Sequence, residues 1–287
     1  MDFLAPQIEQ LIRLALEEDA PNGDITSELL KDKEKSATGT IIVKQPGIIC
    51  GLPLLGRIID IYLQKNSSAS EMVVTYLVNE GHFCVERTSV ATITGSIKNI
   101  LTLERIFLNF LQRLSGIATL TRSYVLEAKG NSILDTRKTT PGHRLLEKYA
   151  VTVGGGKNHR MNLSDMILIK NNHIDSVGGD FSMLSEMLRS VPHPYIPVEV
   201  EVRNHEELEK TILHLKPQRI MLDNFNDDQI VSAVTYIRAT APHIDIELSG
   251  GMNRERIKTL STLVQGVYIS VGALTTQAQN IDISMSI

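Results

Sequence analysis

The chain has 287 residues, enough for two domains with their own cores, and its 42% hydrophobic and 22% charged content is that of an ordinary globular protein. A net charge of -4 excludes the broad basic field of a non-specific nucleic-acid binder, and the lack of Trp, with only 7 Tyr and 6 Phe, removes the stacking platforms for single strands. Two distant cysteines (Cys50 and Cys84), no CxxC or HExxH motif, an acidic N-terminus and no apolar run near the roughly 20 residues of a membrane span predict a cytoplasmic chain with free thiols and no structural zinc.

The first predicted helix covers 7–19, where Ile8, Leu11, Ile12, Leu14, Ala15 and Leu16 recur at helical spacing, and Pro21-Asn22-Gly23-Asp24 stops it. Segments 38–43, 71–78 and 82–86 are short, rich in Val, Ile and Thr, and bounded by Gly or charge, so they read as strands. Leu54–Leu63 reads as a helix between the first two. Leu101–Leu114 repeats Leu, Ile and Phe every three or four residues, which predicts a strongly apolar helix. Residues 1–115 thus read as one α+β domain.

Beyond it the rhythm changes. Ser132–Leu134, Met166–Lys170, Ile196–Val202, Arg219–Leu222, Ile244–Leu248 and Gly266–Ser270 are short apolar strands, and helical stretches at 142–150, 180–190, 205–215, 226–239 and 253–263 separate most of them. This alternation predicts βαβ units and a parallel sheet across 116–275. Six such strands without a GxGxxG after the first favour a barrel over a doubly wound dinucleotide fold. The polar residues 276–287 are expected to pack back onto the first domain.

In a parallel barrel, functional groups sit at the carboxyl ends of the strands. There this sequence places Asp135, Arg137 and Lys138; Lys170 with Asn171-Asn172-His173; Asp223-Asn224; Ser249-Gly250-Gly251; and Ser270 with Gly272. Asp135-Thr-Arg-Lys-Thr-Thr-Pro-Gly-His-Arg144, followed by Lys157, His159 and Arg160, concentrates cations in a mildly acidic chain and predicts a pocket for an anion. Arg137 and Arg160 offer planar donor forks suited to carboxylates, whereas Lys138 and Lys170 act as point charges. In Val198-Glu-Val-Glu-Val202 the period of two puts Glu199 and Glu201 on one strand face, predicted to be the barrel interior, where cations must compensate them. The Ser249-Gly250-Gly251 and Gly272 turns are candidate phosphate sites, with a helix starting near Asn253. Gly154-Gly155-Gly156 reads equally as a ligand clamp or a tight hairpin. His82, His193, His205, His214 and His243 read as ordinary surface histidines.

Assembled in order, these segments resemble the quinolinate phosphoribosyltransferase family, also called nicotinate-nucleotide pyrophosphorylase (carboxylating). The likeness runs through Gly-Asp-Ile-Thr-Ser at 23–27, Glu-Arg at 104–105, Leu-Ser-Gly-Ile-Ala-Thr at 114–119 and Asp-Thr-Arg-Lys-Thr-Thr-Pro-Gly at 135–142. It continues through Leu-Glu-Lys-Tyr-Ala-Val at 146–151, Asn-His-Arg at 158–160, Leu-Ile-Lys at 168–170, Asn-His-Ile at 172–174 and Val-Glu-Val-Glu-Val at 198–202. Leu-Asp-Asn at 222–224, Ser-Gly-Gly at 249–251 and Ser-Val-Gly-Ala-Leu-Thr at 270–275 complete it.

The resemblance implies an N-terminal α/β sandwich domain joined to an open seven-stranded α/β barrel, working as a homodimer or higher even oligomer. It implies conversion of quinolinate and phosphoribosyl pyrophosphate to nicotinate mononucleotide, pyrophosphate and carbon dioxide, with magnesium. Arg137, Lys138, His159, Arg160 and Lys170 would surround quinolinate, with Arg105 reaching in from the other subunit. Glu201 and Asp223 would face the ribose and the magnesium–pyrophosphate group. Ser249, Gly250, Gly251, Ser270 and Gly272 would hold the 5′-phosphate. Thr276 stands where the family commonly has histidine, and the Lys129–Ser132 loop looks trimmed. The related branch associated with molybdenum uptake matches less well around Leu168–Ile174, and a catalytically idle barrel would be expected to have lost a charged member of this set.

Overall fold

Helix α1 (Pro6–Asp19) begins on a proline, which suits the first turn because its missing N–H has no helical partner, and it buries the stripe Ile8, Ile12 and Leu16. Strands β1 (Ser36–Val43) and β2 (Gly47–Ile48), helix α2 (Leu52–Lys65) and strands β3 (Val73–Tyr76), β4 (Phe83–Cys84) and β5 (Ser89–Ser96) follow. The computed structural model describes residues 1–32, 34–66, 69–190 and 195–287, so His193 lies outside the described residues. Strand β5 is the central partner of β1 and β3, yet its Ser-Val-Ala-Thr-Ile-Thr-Gly-Ser sequence offers little hydropathy contrast and gave no strand signal.

Helix α3 (Ile97–Glu127) runs well beyond Leu114. Gly116 does not break it. A Cβ there would lie 2.1 Å from the carbonyl oxygen of Gln279, so the glycine lets the later chain approach the helix backbone closely. After β6 (Ser132–Leu134) comes α4 (Arg144–Val153), whose Gly154 cap packs against α3: a Cβ there would meet the Ala118 oxygen at 2.4 Å. Gly154 thus caps α4, and Gly155 and Gly156 lead out of it rather than forming a hairpin. The chain continues with β7 (Ile167–Ile169), α5 (Asn171–Ser176), α6 (Phe181–Arg189), β8 (Val198–Val202), α7 (His205–Lys210), β9 (Arg219–Asp223) and α8 (Asp227–Thr240). It ends with β10 (Asp245–Ser249), α9 (Arg254–Leu263), β11 (Tyr268–Ser270), α10 (Ala273–Thr276) and β12 (Ile283–Ser286).

Two compact units result. The first comprises Met1–Arg122, Thr139–Gly155 and Leu274–Ile287, and the second Ser123–Lys138 with Gly156–Ala273. Measured by contacts, the first unit takes in α3 as far as Arg122. Helix α4, within the barrel's stretch of sequence, belongs to the first unit: Glu147 accepts from Arg113 of α3 at 2.7 Å, and Tyr149 donates to Glu80 at 2.8 Å. In that unit the antiparallel sheet runs β12-β1-β5-β3, so the polar tail packs back onto the first domain as expected and supplies an edge strand there.

The second unit is the α/β barrel. Among the described residues its six parallel strands run β6-β11-β10-β9-β8-β7, and one further parallel bridge joins Leu134 and Lys157. Side-chain caps start these helices: Asp180, Asn204, Asn226 and Asn253 each accept backbone N–H groups at the start of α6, α7, α8 and α9. One alternate set of strand residues carries polar groups: Glu199 and Glu201, Arg219 and Asp223, Glu247 and Ser249, Tyr268 and Ser270. Val200 and Val202, Ile220 and Leu222, and Ile246 and Leu248, which alternate with them, are buried. Among the described residues no helix is long and apolar enough to cross a membrane.

Candidate active site

A cleft of about 720 Å³ in the barrel unit is lined from the carboxyl ends of its strands. Arg137 and Lys138 enter from the loop after β6, where the Lys138 N–H donates to Thr136 Oγ1 at 3.0 Å. His159 and Arg160 enter from the chain before β7, Lys170 with Asn171 and Asn172 from the end of β7, and Glu201 from β8. Asp223 and Asn224 close β9, Ser249, Gly250 and Gly251 close β10, and Ser270 closes β11. A second groove, of about 500 Å³, lies by the amino ends of β8 and β9 at Val198 and Gln218 and has no comparable gathering of cations and acids.

The cations are held by local bonds. The Arg160 guanidinium donates through Nη1 to the Met166 carbonyl at 3.1 Å, and partial burial together with the nearby Arg137 charge pushes its pKa down. Two like charges held close in this way disfavour one another and favour an anion between them. His159 is almost fully buried; its backbone N–H donates to Asp135 Oδ1 at 2.8 Å and its Nδ1 accepts the Arg160 N–H at 2.8 Å.

The acids lie on the neighbouring strands. Burial first, and then the charge of Asp223, raises the Glu201 carboxyl, while Lys170 opposes that shift. Deeper in, Glu199 and Glu247 are both fully buried. Burial raises both carboxyls, and Arg219 pulls the other way. Glu247 was not singled out in the sequence. A lone acid in Asp-Ile-Glu-Leu-Ser lacks the repetition that marks Val-Glu-Val-Glu-Val, and the usable signal is a glutamate flanked by Ile246 and Leu248 inside an apolar strand.

The glycines of the β10 turn are needed as glycines. Gly250 has φ +88°, and a Cβ there would sit 2.2 Å from Asn224 Oδ1. Arg256 fixes the turn by donating to the Gly250 carbonyl at 2.9 Å. The start of α9 does not line the cleft: Asn253 caps it, accepting the Arg256 N–H at 2.9 Å. Gly272 is not in the lining either, but a Cβ on it would meet Lys138 Cδ at 3.1 Å, so it leaves room for that side chain. Arg105 is exposed on α3 and Thr276 is exposed at the end of α10, and neither lines the cleft. His82, His205 and His243 are exposed and His214 is half-buried.

Residues 117–286 match the C-terminal domain of quinolinate phosphoribosyl transferase, and residues 24–115 match its N-terminal domain. This chain belongs to the quinolinate phosphoribosyltransferase family. It is 36% identical over 280 residues to the nicotinate-nucleotide pyrophosphorylase (carboxylating) of Mycobacterium leprae, an alignment covering 96% of this chain and 95% of that protein. Its fold superposes on NadC from Streptococcus pyogenes with a TM-score of 0.90 at 35% identity, covering 100% of this chain and 98% of that one. The nicotinate-nucleotide pyrophosphorylase of Francisella tularensis gives a TM-score of 0.86 at 35% identity, over 98% and 95% of the two chains. The cleft of this family member brings cations and acids together in one lining.

Proposed function

We propose that this protein is a carboxylating nicotinate-nucleotide pyrophosphorylase: it joins quinolinate to the phosphoribosyl group of phosphoribosyl pyrophosphate and releases pyrophosphate and carbon dioxide, giving nicotinate mononucleotide for NAD biosynthesis. The observation that carries this reading is the convergence of Arg137, Lys138, Arg160 and Lys170 with Glu201 and Asp223 in one cleft of a chain of this family. Quinolinate is a dianion, and the paired guanidinium forks suit its two carboxylates. With His159 beside them, these groups orient the ring nitrogen toward C1 of the ribose. The nitrogen attacks C1 as the C1–oxygen bond to pyrophosphate breaks. Glu201 and Asp223 stabilise the positive charge that develops at C1 in that transition state. The bond from C2 to its carboxylate then breaks, its electron pair is held at C2 beside the cationic ring nitrogen, and a proton replaces the carbon dioxide.

The donor set fits magnesium. Glu201 and Asp223 offer only oxygen, and burial and then the Asp223 charge raise the Glu201 carboxyl, a cost that a hard divalent cation held by them would relieve. Glu201 and Asp223 would hold magnesium there, and it would supply charge neutralisation of the pyrophosphate leaving group. Ser249, Gly250, Gly251 and Ser270 would receive the 5′-phosphate, with Gly272 giving Lys138 its space. Exposed Arg105 would complete the site of a second copy in a homodimer or higher even oligomer. Buried, unbridged Cys50 and Cys84 suit a reducing, cytoplasmic setting. The test is purified protein with quinolinate, phosphoribosyl pyrophosphate and magnesium, followed for nicotinate mononucleotide. Folded protein that makes none would refute the reading.

A further inference from the structure

Glu199, Glu247 and Arg219 gather around His159 at the cleft, and the reaction above gives those three no task. His159 Nε2 is 3.2 Å from Glu199 Oε2 and 3.5 Å from Glu247 Oε2. Arg219 Nη1 lies 3.3 Å from that same Glu247 oxygen, and its guanidinium carbon stands 4.1 Å from the centre of the Tyr268 ring. Glu199 and Glu247 are fully buried and His159 almost so. Two buried carboxylates are costly to keep, so the arrangement calls for a reason.

A metal centre is the first candidate. Ligand atoms about 2.1 Å from a tetrahedral ion stand about 3.4 Å apart, close to the separations here. The other imidazole nitrogen excludes it. Nδ1 accepts the Arg160 backbone N–H at 2.8 Å and must present a lone pair to do so. A neutral imidazole with a lone pair on Nδ1 carries its proton on Nε2, and a protonated nitrogen does not ligate a metal. A metal-binding histidine normally donates from its second nitrogen, whereas here that nitrogen accepts. Nε2 instead stands within ion-pair distance of the two carboxylates, with no hydrogen bond formed to either.

We propose that Glu199 and Glu247, backed by Arg219, are positioning residues that hold His159 in its Nε2–H tautomer and, through Nδ1, fix the backbone from which Arg160 enters the cleft. The chain of contacts is continuous. Arg219 lies 3.3 Å from Glu247, the two carboxylates lie 3.2 and 3.5 Å from Nε2, and Nδ1 accepts the Arg160 N–H. Asp135 pins the same turn from the other side by accepting the His159 N–H. Glu247 also borders the cleft, and the two acids would serve its quinolinate half by way of His159. This inference rests on the assignment of Arg160 to a substrate carboxylate.

The test uses the full-length protein labelled with ¹⁵N-histidine, with the His159 signals identified by their loss in His159→Asn. Long-range ¹H–¹⁵N spectra at neutral pH are expected to show the Nε2–H tautomer, unchanged by added zinc ion. Glu247→Gln keeps an oxygen acceptor and is expected to preserve both the tautomer and the KM for quinolinate. The Glu199→Leu/Glu247→Leu double variant is expected to lose the tautomer and shift the Arg160 amide signal. It should also raise the KM for quinolinate on the order of 10- to 100-fold, with the KM for phosphoribosyl pyrophosphate unchanged. An Nδ1–H tautomer in the parent protein, or zinc binding that depends on His159, would overturn the proposal. So would a folded double variant with parental tautomer, Arg160 amide and quinolinate KM. If the double variant does not fold, the parent and Glu247→Gln spectra still decide. A parent protein without quinolinate turnover would refute the functional reading, and the tautomer and Arg160 amide spectra would then judge the positioning alone.

Discussion

Arg160 meets the cleft with its guanidinium tied to the Met166 carbonyl and its charge opposed by Arg137. An arginine held this way loses little freedom on binding an anion, so its removal should act on affinity rather than on folding. Arg160→Ala is expected to keep its circular dichroism and melting temperature while weakening quinolinate binding by about 2–5 kcal/mol, measured by calorimetry. Asp223→Asn keeps the size of the side chain and removes its charge. It is expected to lower turnover by at least the roughly 10- to 100-fold that losing even an outer partner of a metal costs, and to alter the magnesium dependence, with quinolinate binding alone retained. At this scale the sequence was informative because the strand-end rule is a rule about position: Arg137, Lys170, Asp223 and Ser249 follow apolar runs that announce themselves. Glu247 lay within such a run, and only a fold that shows which strand face points inward separates it from a surface acid.

The elements were legible where periodicity is strong. The six barrel strands and the helices between most of them follow the alternation of apolar segments. Strand β5 and the second half of α3 did not, because tertiary neighbours decide them: β5 is paired on both edges, and Gly116 is tolerated in the helix for the close approach of Gln279. The turn after β10 shows the same dependence on neighbours. Gly250 needs a positive φ and has the Asn224 backbone nitrogen 2.8 Å from where its Cβ would be. Gly250→Ala is accordingly expected to cost about 1–3 kcal/mol in thermal or denaturant unfolding and to raise the KM for phosphoribosyl pyrophosphate more than that for quinolinate. Equal effects on the two substrates would remove the phosphate assignment from this turn.

For the whole molecule, the proposed even oligomer makes a prediction that single chains cannot. Arg105→Ala and Lys170→Ala should each be inactive alone. Mixed under conditions of subunit exchange, they should regain activity, because a heterodimer gathers both lesions in one site and leaves the other intact. No recovery after verified exchange would put Arg105 in its own subunit's site or outside the chemistry. The pairing of β12 with β1 bears on how such a molecule is made. Residues 36–43 leave the ribosome early, but Ile283–Ser286, the strand that covers the β1 edge, is translated only after the whole barrel. The earliest-made sheet is thus finished last, and until then it presents an open edge to other nascent chains, the kind of template on which misassembly begins.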